Sequence, residues 1–205
     1  MIIEIAGLPG AGKTTICKDL AHPVGGKGSV PLLALKPSRD FLHASCSLLR
    51  LALSARPFSL DRLKRAFNTA VLLRHYQPQA GVIVLDQGIA QKLWSILADA
   101  DTYSPEHLHR TQEALAPFAP DHLVWLETPL PIAVERMRQR LHGNSRYDGL
   151  PADKVRHLLE QRAALLQTIA QGVRLRNGRA LTVLDGTAEP QRNAAAIDLL
   201  IEVRH

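Results

Sequence analysis

Short apolar runs alternate with segments of helical periodicity along the chain. Five apolar runs have the length of buried strands, at residues 2–6, 30–35, 81–86, 122–127 and 181–185. Between them, apolar residues recur three or four positions apart, first at Leu60, Leu63, Phe67 and Val71, and later at Leu130, Val134, Met137 and Leu141. This alternation predicts an α/β fold, with a doubly wound, mainly parallel five-stranded sheet and helices on both faces.

Helix boundary signals support the same order of elements. Ser104 and Pro105 are residue types of an N-cap and a first helical turn, and Pro117 ends this helix. Pro190 opens the last helix, which turns three apolar residues inward, Ile197, Leu200 and Ile201. Because no repeat, low-complexity tract or long linker divides the chain, we expect a single domain over residues 1–205.

A glycine-rich stretch, GLPGAGKT, lies between the first predicted strand and a helix predicted at 14–21. It matches the pattern G-x-x-x-x-G-K-[ST], in which backbone N–H groups and a helix N-terminus bind phosphate. A glycine-rich turn that matches by chance is the alternative, but the flanking strand and helix favour a phosphate loop. Lys13 would lie on the β- and γ-phosphates of ATP, and the Thr14 hydroxyl would bind Mg²⁺. The predicted nucleotide-binding residues here are Gly7, Leu8, Pro9, Gly10, Ala11, Gly12, Lys13, Thr14 and Thr15.

A carboxylate ends the third predicted strand, in the segment GVIVLDQG. Asp86 would therefore lie at the carboxyl edge of the sheet, beside the phosphate loop. There it could orient Mg²⁺ or accept the proton of an attacking hydroxyl, since both roles need a negative charge near the γ-phosphate. The alternative is a structural cap for the helix that begins near Gly88.

Composition narrows the class of protein. With 205 residues, of which 46% are hydrophobic, the chain can bury one substantial core. Cys17 and Cys46 give neither a disulfide framework nor metal-ligand spacing, and Glu4 interrupts the first apolar run, so we expect a cytoplasmic protein without a signal peptide. The net charge of +6 fits a groove for nucleotides; we expect neither a nucleic-acid partner nor a membrane, and a homodimer is left open.

The chain resembles the P-loop nucleoside and nucleotide kinases, and among them the thymidylate kinases. Their phosphate loop is similar to GLPGAGKTT, and their helix with an acceptor-phosphate arginine is similar to AVLLRHYQP. Their fourth strand and arginine-bearing helix resemble DHLVWLETPLPIAVERMRQR, their lid HGNSRYDGL, and their adenine-bordering loop LTVLDGTAEP. The resemblance implies an acceptor-binding helical segment at about 36–78, a lid at about 141–151, and a donor site bordered by Asp185 and Gly186.

Two segments depart from the thymidylate kinase pattern. The third strand is followed by Asp86, Gln87 and Gly88, where those enzymes usually have Asp-Arg-Tyr or Asp-Arg-His. The second predicted strand is followed by KPSRDF, where they have an acidic loop with glycine and threonine. The departures concern the acceptor and leave the donor side intact.

Polar residues in three places are candidates for acceptor binding. Arg74 continues the apolar face that ends at Val71, and a core-facing guanidinium needs an acceptor phosphate or carboxylate, or a structural partner such as Asp86. Arg39 follows the second predicted strand at the sheet edge where ligands gather. Gln87 and Gln91 follow Asp86 and could line the acceptor pocket.

Three further arginines are candidates for binding the triphosphate. Arg136 and Arg140 are four residues apart on one helix face, and Arg146 follows in a loop of Gly, Asn and Ser. Guanidinium groups bind phosphate oxygens in pairs and stabilise the charge that develops during transfer. The alternative is a solvated basic face. We assign Arg136 to ATP binding, and Arg140 and Arg146 to catalysis together with Lys13 and Asp86.

The sequence therefore predicts an ATP- and Mg²⁺-dependent kinase that phosphorylates a small acceptor, most specifically a nucleoside or nucleoside monophosphate. A sugar acid, an antibiotic or a nucleic-acid end is the alternative acceptor. A nucleotide-binding regulatory ATPase or switch is the alternative of another class. The Asn-Lys-x-Asp string that reads guanine in GTPase switches does not occur in the sequence, which favours the enzyme.

Overall fold

The structure, a computed structural model, describes residues 1–22, 24–25, 38–76, 81–139, 150–173 and 181–202. Its sheet has five parallel strands in the order β2-β3-β1-β4-β5. These are β1 Ile2–Gly7, β2 Val24–Gly25, β3 Ile83–Leu85, β4 His122–Glu127 and β5 Thr182–Asp185. Four strands were predicted within two residues at each end. The strand predicted at 30–35 lies outside the described residues, and the short β2 was not predicted.

Eight α-helices are described around this sheet. They are α1 Lys13–Asp19, α2 Arg39–Ser54, α3 Leu60–Leu72, α4 Ile89–Leu97, α5 Pro105–Ala114, α6 Leu130–Arg138, α7 Ala152–Gly172 and α8 Pro190–Glu202. A 3₁₀ turn, Leu73–Tyr76, follows α3. No helix within the described ranges combines the length and the apolar character that a membrane crossing requires.

The helices cover both faces of the sheet, which confirms the doubly wound α/β prediction. Successive side chains of a strand point to opposite faces. Ile3 and Ile5 of β1 face the layer of α1 and α8, where Ile16 and Ile197 are buried with them. Ala6 faces the other layer, in a larger core that contains apolar side chains of α2 to α7.

The predicted inward face of α3 is wrong for Leu60 and Phe67, whereas Leu63 does pack against the core. Leu60 and Phe67 are 74% and 61% exposed, whereas the buried positions are Arg62, Ala66, Thr69 and Ala70. Arg62 is fully buried because its guanidinium donates to the carbonyls of Ala55, Pro57 and Ile96 and pairs with Asp99. The small side chains of Ala66 and Ala70 on the same side let α3 pack closely.

The other helix signals are borne out, except that α5 already ends at Ala114 and Pro117 lies in the 3₁₀ turn Ala116–Phe118 that follows. Ser104 is the N-cap of α5, its hydroxyl accepts from the amide of His107, and Pro105 is the first residue of the helix. Helix α8 begins at Pro190 and buries Ile197 and Ile201. In α6, Val134 and Met137 are buried as expected. Leu141 lies outside the described residues.

Candidate active site

The glycine-rich loop connects β1 to α1 at the carboxyl edge of the sheet. Gly10 has a φ of +84°, and a Cβ there would lie 2.1 Å from the carbonyl oxygen of Ala133 in α6. Gly12 is the N-cap of α1, with a φ of +102°. Side chains are disfavoured at such φ values, and the space against α6 excludes one at Gly10. The loop therefore has the strand–loop–helix geometry that the motif requires.

The Lys13 ammonium lies across this loop. The residue is 8% exposed, and its Nζ donates to the carbonyl oxygens of Gly7 at 2.8 Å and Leu8 at 2.9 Å. Its positive charge and the N-terminus of α1 act on the same small volume. An anion bound there would gain from both.

Thr14 and Asp86 meet beside the loop. The Thr14 hydroxyl donates to Oδ2 of Asp86 at 2.8 Å, which joins α1 to the end of β3. The other carboxylate oxygen, Oδ1, is buried and accepts no hydrogen bond from the residues that the structure describes. A hydroxyl and a carboxylate with a free oxygen are ligands that suit Mg²⁺, so the residues present fit a magnesium site.

Asp86 does not cap α4. The N-cap of α4 is Gly88, which has no side chain to accept from the first turn. The amide of Ala90 in that turn donates instead to Glu4 of β1. The capping alternative for Asp86 is therefore wrong.

Charges at this edge act on a neighbouring thiol. Burial raises the pKa of Cys17 to about 12, and the negative charge of Asp86 contributes, whereas Lys13 opposes the shift. The Cys17 thiol thus stays protonated at neutral pH, which excludes it as a thiolate nucleophile there.

A cavity of about 310 Å³ opens on the other side of the glycine-rich loop. Arg136 lies in its wall and donates to the carbonyl oxygens of Gly186 at 2.7 Å and Ala11 at 3.3 Å. The side-chain Nδ2 of Asn193, near the start of α8, donates to the backbone carbonyl of Asp185 at 2.8 Å. The lining residues come from the loop, α1, α6 and the segment after β5, namely Gly10, Ala11, Gly12, Thr15, Ile16, Arg136, Gln139, Gly186, Ala188, Pro190 and Asn193.

Of the two residues predicted to border the donor nucleotide, Gly186 lines the cavity and Asp185 does not. Gly186 lines the cavity, and a Cβ there would lie 1.9 Å from the Thr128 hydroxyl oxygen, so only glycine fits. The exposed Asp185 carboxylate is held in a turn instead. It accepts from the Thr187 hydroxyl and amide, and these bonds hold its pKa below the usual range. Asp185 shapes the rim of the cavity and does not line it.

The residues predicted to bind the acceptor differ in their exposure to solvent. Gln91, in the first turn of α4, is 7% exposed, and its Oε1 is buried without a hydrogen-bond partner among the described residues. Gln87 is exposed and accepts from the Lys92 ammonium at 3.3 Å. Arg39 is exposed at the start of α2. Arg74 lies in the 3₁₀ turn, and its side chain is outside the described part of the chain, as are Arg140, Arg146 and the rest of 141–149.

Sequence reasoning missed one group beside the site. Glu4 of β1 is fully buried; its carboxylate accepts from the Ala90 amide at 2.7 Å and from the Tyr76 hydroxyl at 3.1 Å. Burial raises the pKa of Glu4 to about 7, although hydrogen bonds, foremost that from Ala90, oppose the shift. The available signal was a charged residue inside an apolar strand that is covered on both faces.

No protein-family model and no curated protein sequence matches the chain. Solved structures do. Deoxyadenosine kinase from M. mycoides with bound dATP is 15% identical, with a TM-score of 0.60 over 98% of this chain and 100% of that one. Thymidylate kinase from Candida albicans is 19% identical, with a TM-score of 0.54 over 99% and 91%. The YorR protein of Bacillus subtilis, in complex with phosphorylated GDP, is 16% identical, with a TM-score of 0.53 over 100% and 98%. The chain therefore has the fold of the P-loop nucleoside and nucleotide kinases.

Proposed function

We propose that the protein is a MgATP-dependent phosphotransferase that transfers the γ-phosphate to a small acceptor, a nucleoside or nucleoside monophosphate. The observation that carries the proposal is the contact between the Thr14 hydroxyl and Asp86 at 2.8 Å, beside the Lys13 ammonium. A phosphate loop, a lysine and an oxygen pair for a metal ion are the parts that phosphoryl transfer needs. The solved structures of similar fold include a deoxyadenosine kinase and a thymidylate kinase.

The donor nucleotide would occupy the loop and the cavity beside it. The cavity of about 310 Å³ is at the lower end of the size range of small-molecule sites, which suits the base and ribose. Arg136 would exchange one of its carbonyl contacts for a phosphate oxygen, because a charged acceptor makes the stronger bond. Thr14 and Asp86 would hold Mg²⁺, which supplies positive charge on the β- and γ-phosphates when bound.

The reaction would be an in-line displacement. The acceptor hydroxyl oxygen forms a bond to the γ-phosphorus while the bond from that phosphorus to the bridging oxygen breaks and ADP leaves. Lys13 neutralises charge that grows on the phosphates. Asp86 either accepts the hydroxyl proton or orients the metal ion. Arg140, directly before the proposed lid at about 141–151, and Arg146, within it, would add positive charge near the γ-phosphate.

The acceptor would bind along the helical segment at about 36–78 and the start of α4. Gln91 supports this assignment, because a buried amide oxygen without a partner is costly unless a ligand donates to it. An amide can both donate and accept, which suits the edge of a nucleobase. Arg39, Arg74 and Gln87 would contact the remaining acceptor groups.

Acceptor-stimulated ADP release tests the proposal. The purified protein is incubated with MgATP and a panel of nucleosides, nucleoside monophosphates, sugar acids, antibiotics and nucleic-acid ends. We expect stimulation by a nucleoside or its monophosphate. Stimulation by another acceptor on the panel would keep the kinase assignment and change its substrate class. Tight ATP binding without stimulation by any acceptor would favour a regulatory switch.

We also propose that the protein forms a homodimer. Helix α2 exposes Leu42, Leu49 and Leu53, spaced seven and four residues apart and therefore on one side of the helix. A second copy of the chain would cover this side in a homodimer, and light scattering would measure its mass.

A cytoplasmic location is proposed because MgATP is supplied there and both cysteines are free.

A further inference from the structure

We propose that Glu4 is a positioning residue, which through Tyr76 and the first turn of α4 fixes Asp86 against the phosphate loop. The proposal rests on the proposed function for its kinetic consequences. Its geometric basis is independent. Glu4 lies three residues before Gly7 on β1, and its strand partner Leu85 directly precedes Asp86.

Two hydrogen bonds join Glu4 to two other elements, and a third joins those two elements to each other. The Ala90 amide donates to Oε1 at 2.7 Å, and the Tyr76 hydroxyl donates to Oε2 at 3.1 Å. The Tyr76 oxygen in turn accepts from the Ile89 amide at 3.0 Å. The ring of contacts closes between β1, the 3₁₀ turn and α4, and Glu4 and Tyr76 are both fully buried. The end of the proposed acceptor-binding segment, at Tyr76, and the start of α4 are thus both tied to the strand that leads into the phosphate loop.

The corner between Asp86 and α4 is built around this carboxylate. A Cβ at Gly88 would lie 2.1 Å from the Glu4 Cδ, so the chain must have glycine there for Glu4 to reach the α4 amides. Asp86 is two residues before this glycine. A change in the position of Glu4 therefore moves the corner, and with it the carboxylate that accepts from Thr14.

Capping of α4 alone does not explain why a glutamate occupies position 4. Burying a carboxylate is costly, and a serine or asparagine at the N-cap would satisfy the same amides. The buried charge instead supports a rigid connection, because hydrogen bonds to an ionised acceptor are stronger than those between neutral groups. Groups that hydrogen-bond a metal ligand commonly change metal affinity or activity by about 10- to 100-fold, and because Glu4 acts on Asp86 through the α4 corner we expect the lower end of that range.

The ionised form is the one that accepts both bonds as described. A proton on the carboxyl group would compete with the Tyr76 hydroxyl for the same contact. Among the described neighbours, Tyr76 is the titratable group in contact with Glu4. Asp86 at the end of β3 and Lys92 of α4 are charged residues on adjoining elements, and Lys92 binds Gln87. Strand β4 presents Leu123 beside Glu4, while its titratable residues, His122 and Glu127, lie at the two ends of that strand. The raised pKa of Glu4, about 7, places the change of form near neutral pH.

Two conservative variants test the proposal, Glu4→Gln and Tyr76→Phe, together with the double variant. Asp121→Asn is the matched control, because Asp121 also accepts from a β1 amide, that of Ile2, but at the opposite end of the strand. The first readout needs no acceptor. It is the affinity for ADP measured with Mg²⁺ divided by the affinity for ADP measured with a chelator, which we call the magnesium ratio. We expect Glu4→Gln to lower this ratio by about tenfold, and the control to leave it unchanged.

The second readout is phosphoryl transfer. We expect about a tenfold lower kcat in Glu4→Gln and Tyr76→Phe, little change in the KM for ATP, and a double variant no worse than Glu4→Gln. The wild-type kcat should fall between pH 8 and pH 6 more than that of Glu4→Gln. An unchanged magnesium ratio and kcat, with only a lower melting temperature, would overturn the positioning role. A wild type without any transfer would refute the proposed function, and the magnesium ratio would still decide the role of Glu4.

Discussion

The Thr14 hydroxyl donates to the Asp86 carboxylate at 2.8 Å, although 72 residues separate them in the sequence. The two residues come from different connections of the sheet, α1 after β1 and the corner after β3. Parallel strands bring both to the same edge, because β1 and β3 are paired neighbours that run in the same direction, with β3 ending beside Glu4, three residues before the end of β1. The predictions below test what this edge does and what holds it in place.

Asp86→Asn should keep the fold and ADP binding while it lowers turnover by at least ~10²-fold, the low end for a lost acid or base group. The amide retains the shape and loses the charge that holds a metal ion or a proton. Turnover with the identified acceptor and calorimetric ADP binding would measure this. Asp153→Asn, exposed on α7, is the control. A large fall in melting temperature with normal turnover would contradict a functional Asp86.

Lys13→Ala should abolish transfer to any acceptor and weaken MgATP binding, because the phosphate loop loses the charge that acts on the transition state. Lys18→Ala, in the exposed last turn of α1, removes the same charge from the same helix and should change neither quantity. Initial rates and binding isotherms of both variants decide the point. Normal turnover of Lys13→Ala would show that the loop is not the phosphate site.

Gly10→Ala should abolish ADP binding, because its Cβ would lie 2.1 Å from the Ala133 carbonyl and would push the loop off α6. Gly81→Ala is the control: Gly81 also has a positive φ, +89°, but nothing lies within 4 Å of the added carbon. Strain alone should cost Gly81→Ala about 1–2 kcal/mol of unfolding free energy. Equal ADP affinity in the two variants would mean that contact with α6 does not set the loop geometry.

Glu4 should make stability depend on pH. Its pKa is 4.5 in an unfolded chain and about 7 in the fold, so the folded state holds the proton more tightly. The stabilisation from this group is complete below about pH 4.5 and is lost as the pH rises through about 7, a change of about 3 kcal/mol.

Urea unfolding at pH 5 and pH 7.5 would measure this dependence. Glu4→Gln should lose it, whereas Glu160→Gln, exposed on α7, should retain it. An identical pH dependence in Glu4→Gln and the wild type would contradict the raised pKa. The ionised form of Glu4 is the less stable one and also the one that we propose for activity, so stability and function would oppose each other at this residue.

The sequence determined those features that depend on neighbouring residues alone. The glycine-rich loop, four strands and the start of α5 at Ser104 and Pro105 were all predicted, because motif spacing, apolar runs and capping residues act within a few positions. Asp86 was identified as a candidate in the same way, because a carboxylate at the carboxyl end of a buried parallel strand lies where ligands gather.

The tertiary structure decided which surfaces and charges come together. Periodicity placed Leu60 and Phe67 of α3 in the core, but the buried side contains Arg62, since carbonyls from two other segments satisfy its guanidinium. Glu4 and Tyr76 likewise gave no local signal of a shared role, because a buried carboxylate is stable only through partners that the fold supplies from distant parts of the chain.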